Sequence, residues 1–165
     1  MHPMQFSEAH PDAGLVAIER TKNKSELFSN ALQDKHLPNL FPVNADALYW
    51  LPGNIKPASI DQFFILYPNP YPKERQANKR WHRNPLMHFI MQCLKPDGIL
   101  EVASNEDWYL EECKPCMFRN WDMVAVQERA LSLDDHKPRT HFEKKYLERG
   151  IKCRNLVFQR AGTLE

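Results

Sequence analysis

Two carboxylates, one proline-stiffened loop and one basic run are the parts of this sequence with chemistry to offer. Glu19 closes the apolar run Gly14-Leu15-Val16-Ala17-Ile18. An acid at the end of a strand can accept hydrogen bonds from both hydroxyls of a ribose; the plainer reading is an exposed strand-end carboxylate. Asp46, in Asn44-Ala45-Asp46-Ala47, can accept from an exocyclic adenine amine or can cap a helix. At one sheet edge the two acids together suggest an adenosine cofactor. The loop is Tyr67-Pro68-Asn69-Pro70-Tyr71-Pro72-Lys73. Its prolines hold polar groups in place, Asn69 both donates and accepts, and Tyr71 offers a ring face to a base. A proline-rich turn is the alternative. Behind it come Lys73, Arg75, Lys79, Arg80, His82 and Arg83, with Glu74 the one acid. Such a run suits a phosphate backbone, although many are solvated faces. Its place beside the loop favours RNA.

Positioning these residues requires strands that end where they stand. Residues 14–19, 40–44, 60–67 and 99–103 read as short buried strands. Residues 22–34 carry Leu27, Phe28, Ala31 and Leu32 at helical spacing, and residues 85–94 and 106–113 also read as helices, the last stopping before Pro115. Pro52, Gly53 and Pro57 mark a loop, and Lys95-Pro96-Asp97-Gly98 a turn. Residues 123–131 and 151–159 form an expected antiparallel pair at the sheet edge. This alternation argues for an α/β open sheet with parallel strands in its middle. Ligands bind beyond the carboxyl ends of such strands, which singles out Glu19, Asp46, Asn69 and Asn105.

Composition sets the frame. The chain has 165 residues with Lys plus Arg 22 against Asp plus Glu 21, a net charge of +1. This excludes a histone-like basic protein and an acidic disordered one. Hydrophobic residues at 42% and aromatics at 11% fit a packed globule, expected as one domain over 1–163, with Leu164 and Glu165 read as a cloning scar. No apolar run reaches membrane-spanning length and the N-terminus lacks a signal-peptide pattern, so the expected location is the cytoplasm, with reduced cysteines. Cys113-Lys114-Pro115-Cys116 has CxxC spacing, but no second pair completes a zinc site, and no metal is expected. Glycine is scarce, at five residues beside thirteen prolines.

Residues 60–98 resemble the bacterial tRNA (guanine-N7)-methyltransferases. That family's signature is a strand, F-P-D-P-W-x-K, an R, a K-R-R cluster, Q-P, a helix and L-K-P-G-G. This chain has Tyr67 to Lys73, Arg75, Lys79-Arg80, Asn84-Pro85 and Leu94-Lys95-Pro96-Asp97-Gly98. The family's A-T-D-W-E-x-Y resembles Ala103 to Tyr109, its T-x-F-E resembles Thr140-His141-Phe142-Glu143, and its H-P followed by G-I-E resembles His10-Pro11 through Glu19. The resemblance implies a class I (Rossmann-like) methyltransferase open sheet, mostly parallel with an antiparallel edge pair. It also implies S-adenosylmethionine as cofactor and a guanine in the variable loop of tRNA as target. Carried over, Glu19, Asp46 and Ala47 bind the cofactor, and Asn69 takes the place of a catalytic, cofactor-contacting acid. Lys73, Asn105, Thr140, His141, Phe142 and Glu143 meet the substrate, alongside Tyr71, Arg75, Lys79 and Arg80.

Three departures accompany it. The family's E-I-G-x-G-x-G strand and loop have no counterpart in these residues, so the first strand of the fold is expected to be lacking between the strands at Leu15 and Phe63. The open edges invite self-association. The loop acid is Asn69, and the acid of A-T-D is Asn105; an amide cannot act as a general base. Asn69-Pro70-Tyr71 is also similar to the N-P-P-Y/F loop of amine-directed methyltransferases, without its second proline. The competing expectation is a catalytically silent relative that binds RNA or a partner.

Overall fold

The structure is a computed structural model that describes residues 1–33 and 35–163. Asp34, the expected end of the first helix, and the Leu164-Glu165 pair lie outside the described residues. The backbone divides into two compact units, Met1–Asn54 and the remainder from Ile55.

The first unit runs α1 (His2–Ala9), β1 (Leu15–Ile18), α2 (Lys22–Leu32), β2 (Leu40–Val43) and α3 (Ala47–Asn54). β1 and β2 pair in parallel, Leu15 opposite Leu40 and Ile18 opposite Val43. α2 forms the crossover that a parallel pair requires. Asn39 ties α1 to the strand pair, because its side-chain amide donates to the carbonyls of Ser7, His10 and Ala13 at 3.1, 2.9 and 3.0 Å. Two elements differ from expectation. α1 carries only one signal, Pro3 in its first turn. α3 runs through Pro52, expected in a loop. A proline there removes one i→i−4 bond, which a helix near its end tolerates while Leu51 stays buried.

The second unit contains β3 (Ile60–Leu66), two 3-10 turns (Glu74–Lys79 and Trp81–Arg83), α4 (Leu86–Cys93), β4 (Leu94–Ser104), α5 (Asp107–Trp121), β5 (Met123–Leu131), α6 (His141–Glu148) and β6 (Cys153–Arg160). Its sheet has the order β3-β4-β6-β5. β3 and β4 are parallel, while β6 is antiparallel to both β4 and β5. Its core is Leu100, Val102, Leu156 and Phe158 of the sheet against Met87, Ile90, Leu110 and Met117 of α4 and α5.

The expected turn at 95–98 falls inside β4. Ile60 pairs with Leu94 and Gln62 with Ile99, so the turn residues form a bulge after which the ladder resumes. Gly98 is needed there, since a Cβ would lie 2.6 Å from Leu94 Cδ1 and 3.1 Å from the Asp61 carbonyl oxygen. α5 continues past Pro115 to a left-handed cap at Asp122, φ 52°. Its buried stripe of Tyr109, Leu110, Cys113, Cys116 and Met117 outweighs the roughly 3 kcal/mol penalty of an interior proline. α6 was not expected, although Thr140-His141-Phe142-Glu143 is a capping-box pattern. Thr140 Oγ1 accepts from the Glu143 N–H at 3.0 Å.

Candidate active site

In the first unit the two acids stand where the sequence placed them, just past the carboxyl ends of paired strands. Glu19 follows β1, and its Oε1 accepts from the Thr21 N–H at 2.7 Å. The Asn44 amide donates to the Glu19 carbonyl at 2.8 Å, fixing the turn out of β1 to the turn out of β2. Asp46 caps α3, with Oδ1 accepting from the Leu48 N–H at 3.0 Å, and its Oδ2 lies 3.5 Å from Arg20 Nη1. Both acids are half-buried. Ala47 opens α3, where first-turn amides have no intrahelical acceptor.

In the second unit the carboxyl ends of β3 and β4 lie side by side, Leu66 opposite Ala103, so the Tyr67–Tyr71 loop and Asn105 share one sheet edge. Tyr67 and Tyr71 both sit in the left-handed region, at φ 52° and 48°. That conformation costs a non-glycine residue on the order of 1 kcal/mol and persists only where surroundings enforce it. Between the tyrosines, exposed Asn69 accepts the Tyr71 N–H on Oδ1 at 3.2 Å. This bond uses one of the oxygen's two lone pairs, so the amide can still both donate and accept.

Two internal networks enforce the strain. At one end, the Tyr67 N–H donates to the Ala103 carbonyl at 2.8 Å and its hydroxyl to Glu143 Oε1 at 2.9 Å. Burial first, then hydrogen bonding with Cys153 and the charge of Glu143, keeps that hydroxyl protonated far above the usual tyrosine range. Glu143 is 0% exposed. It also takes the Arg139 guanidinium at 3.0 Å, the Arg139 N–H at 2.5 Å and His136 Nε2 at 3.1 Å, and Arg139 bridges on to Glu101 and Asn155. Burial pushes the Glu143 carboxyl up, but the bonds from Arg139 and His136 outweigh it and hold it below the ordinary carboxylate range.

At the other end stands Arg80, 3% exposed. Its Nε donates to the Tyr71 carbonyl at 3.2 Å and its Nη1 to Glu112 at 2.5 Å, and its guanidinium lies over the Trp108 ring at 5.2 Å. Glu112, on α5, also meets His82 Nε2 at 3.2 Å and Arg83 Nε at 2.6 Å.

Three of the expected substrate residues have internal partners. Arg80 is an internal brace, because its charge is buried against Glu112. Glu143 is a buried hub without accessible surface, and the Thr140 hydroxyl is occupied as a helix cap. His141 and Phe142, on the same helix, are exposed, and Phe142 follows Tyr146 and Tyr67 in a ring series with centroids 6.2 and 6.0 Å apart. Lys73, Arg75 and Lys79 are exposed, with Lys79 Nζ 5.9 Å from the Tyr71 ring centroid. Asn105 is half-buried and donates to Glu106 at 3.1 Å. Sequence reading missed Glu112, Arg139 and His136, whose partners lie across the fold. Cys113 and Cys116 are buried on α5, their thiols shifted upward mainly by desolvation. Among the described residues no three His, Cys, Asp or Glu side chains group as metal ligands.

Residues 1–156 match the family described as "Putative methyltransferase". The chain belongs to this methyltransferase family. This methyltransferase is 24% identical over 156 residues to the tRNA (guanine-N(7)-)-methyltransferase of Chromobacterium violaceum, covering 94% of this chain and 69% of that one. It is 28% identical to the enzyme of that name from Rhizobium meliloti, covering 97% and 70%. With the one from Streptomyces avermitilis the identity is 26%, over 91% of this chain and 52% of the relative. Among solved structures, one titled as an antibiotic-related methyltransferase superposes with TM-score 0.69 at 15% identity, over 94% of this chain and 80% of that one. The 16S rRNA methyltransferase KamB superposes at 0.67 and 16%, with the same coverage. These likenesses show the Rossmann-like α/β methyltransferase fold, with an open mixed sheet.

Proposed function

We propose that this chain transfers a methyl group from S-adenosylmethionine to tRNA, at guanine N7, with 1–163 acting as one methyltransferase domain. The observation that carries the reading is the state of Asn69. Its oxygen accepts the Tyr71 N–H, so the loop presents amide donors. Guanine's major-groove edge offers two acceptors, O6 and N7, and a donor at O6 would orient the base with the N7 lone pair open to attack. The relatives named as tRNA (guanine-N(7)-)-methyltransferases support this reading, and the family match crosses both units.

The residues fit the cofactor through its adenosine part. Glu19 has a carboxylate for the ribose hydroxyls, Asp46 one for the adenine amine, and Ala47 a helix-opening amide. When bound, S-adenosylmethionine supplies a methyl group on a sulfonium that leaves as a neutral thioether. Guanine N7 already carries its lone pair, so no base is needed. The chain's contribution is orientation by Asn69 and Tyr71, which proximity makes large. Glu19→Ala is expected to weaken cofactor binding by roughly 1–3 kcal/mol through loss of a charged acceptor, with the fold retained. Calorimetry giving equal affinities for the two chains would remove Glu19 from the site.

Exposed Lys73, Arg75 and Lys79 are assigned to tRNA phosphates, with Tyr71, Asn105, His141 and Phe142 toward bases. Replacing Arg75 and Lys79 by Ala is expected to flatten the salt dependence of tRNA binding by about one to two counterions; coincident slopes for variant and parent would refute the assignment. A cytoplasmic location belongs to the same proposal. Self-association through a sheet edge belongs to the same proposal, since β3 carries a ladder on one side among the described residues. The second reading, a silent relative that binds RNA or a partner, is favoured by the amides at Asn69 and Asn105. Cofactor and tRNA binding without methyl transfer would select it.

A further inference from the structure

We propose that Glu112 is a positioning residue for the reacting loop, acting through Arg80 and Tyr71 on Asn69. The inference rests on the methyl-transfer reading for its kinetic arm alone.

The path is continuous. Glu112 Oε2 takes Arg80 Nη1 at 2.5 Å, and Arg80 Nε donates to the Tyr71 carbonyl at 3.2 Å. Tyr71, held at φ 48°, donates its N–H to Asn69 Oδ1 at 3.2 Å. Arg80 can stay in this position only with a counter-charge, since a guanidinium at 3% exposure is costly to leave unpaired. The other acid near it, Glu74, is 3.7 Å away with a side chain 84% exposed, too solvated to replace Glu112. Glu112 also binds His82 and Arg83, so one carboxylate fastens both 3-10 turns behind the loop to α5. Removing its charge frees the Arg80 fork to turn toward water, the Tyr71 carbonyl loses its donor, and the strained Tyr71 relaxes. Asn69 then loses the bond that fixes its amide. Arg83 gains freedom at the same time, so contact with an anionic substrate is not weakened.

The test uses the 165-residue chain and Glu112→Gln, with Glu148→Gln, an exposed acid of α6, as control. Steady-state methyl transfer to tRNA is expected to show kcat reduced about tenfold or more, KM for S-adenosylmethionine within about twofold and KM for tRNA not raised. Combined with Arg80→Met, the double variant should cost no more than the larger single change, because both act along one path. The side-chain NH2 signals of Asn69, followed by NMR in the 15N-labelled chain, should shift or broaden while the rest of the spectrum stays dispersed. Arg80→Lys, which keeps the buried charge but loses the fork, should reproduce that change if Glu112→Gln fails to fold. Unmoved Asn69 signals in a folded variant overturn the proposal, as does a rise in both KM values with kcat intact. Absent transfer by the parent chain with moved Asn69 signals refutes the methyl-transfer reading and upholds the positioning role.

Discussion

Glu143→Ala should unfold well below the parent chain, with stability reduced by roughly 3–5 kcal/mol, the usual cost of removing one partner of a buried ion pair. The substitution takes one of two carboxylate partners from Arg139, whose side chain is 12% exposed, and removes the acceptor of the Tyr67 hydroxyl and the partner of His136. At this chain length each kcal/mol moves Tm by about 2–4 °C, so a fall of roughly 10 °C is expected in a thermal melt. Glu148→Ala, which breaks an exposed pair 3.7 Å from Lys144, should change stability by less than about 1 kcal/mol. The sign with pH follows from the lowered carboxyl of Glu143. A carboxyl depressed in the folded state contributes stability above its unfolded value of about 4.3, and that contribution is lost as pH falls through the folded pKa. The difference between parent and Glu143→Ala should therefore be full at neutral pH and shrink only in acid below that value. Equal melts at pH 7 would show that the hub does not hold the unit together.

Asn69→Ala should reduce methyl transfer by about two orders of magnitude or more with little change in melting temperature, since misplacing a bound reactant by about an ångström costs on that order. The side chain is exposed, so its removal leaves no cavity. What is lost is the acceptor that shapes the loop at Tyr71 and the donor that faces the base. Asn69→Asp separates the two: it keeps the acceptor and exchanges the NH2 for a carboxylate oxygen. The resembled family carries Asp at this place in its F-P-D-P-W signature, so Asn69→Asp is expected to keep transfer near or above the parent rate, and a slow Asn69→Asp would mark the NH2 as a donor this chain specifically needs. Transfer at the parent rate by Asn69→Ala, measured with tritiated cofactor, would remove Asn69 from the reaction.

The strands that place the loop were legible because a buried strand needs only a local apolar run. Ile60–Leu66 and the run ending at Ser104 are such cases, and so are Glu19 and Asp46 at the ends of theirs. Helix extent was less legible where packing overrode local rules. α5 passes Pro115 because Cys116 and Met117 are buried beyond it, whereas α3 ends two residues after Pro52. α6 was announced by its capping box, but the same four residues also resembled a substrate motif, and the structure uses Thr140 and Glu143 for the helix and its hub. Arg80 illustrates the limit for charged residues. A basic run shows which side chains carry charge, and only the fold shows that this one is neutralised by Glu112, 32 positions away. The strain at Tyr67 and Tyr71 was equally hidden, since neither tyrosine announces a left-handed backbone.

Methyl transfer to guanine N7 of tRNA can be read directly from the nucleosides it leaves. Unmodified transcribed tRNA is incubated with the chain and S-adenosylmethionine, digested to nucleosides and resolved by mass spectrometry. 7-Methylguanosine should accumulate with time in the parent reaction and be strongly reduced with Glu19→Ala or Asn69→Ala. Methylation of a base amine in its place, or no methylated nucleoside from a chain that binds both cofactor and tRNA, would contradict it.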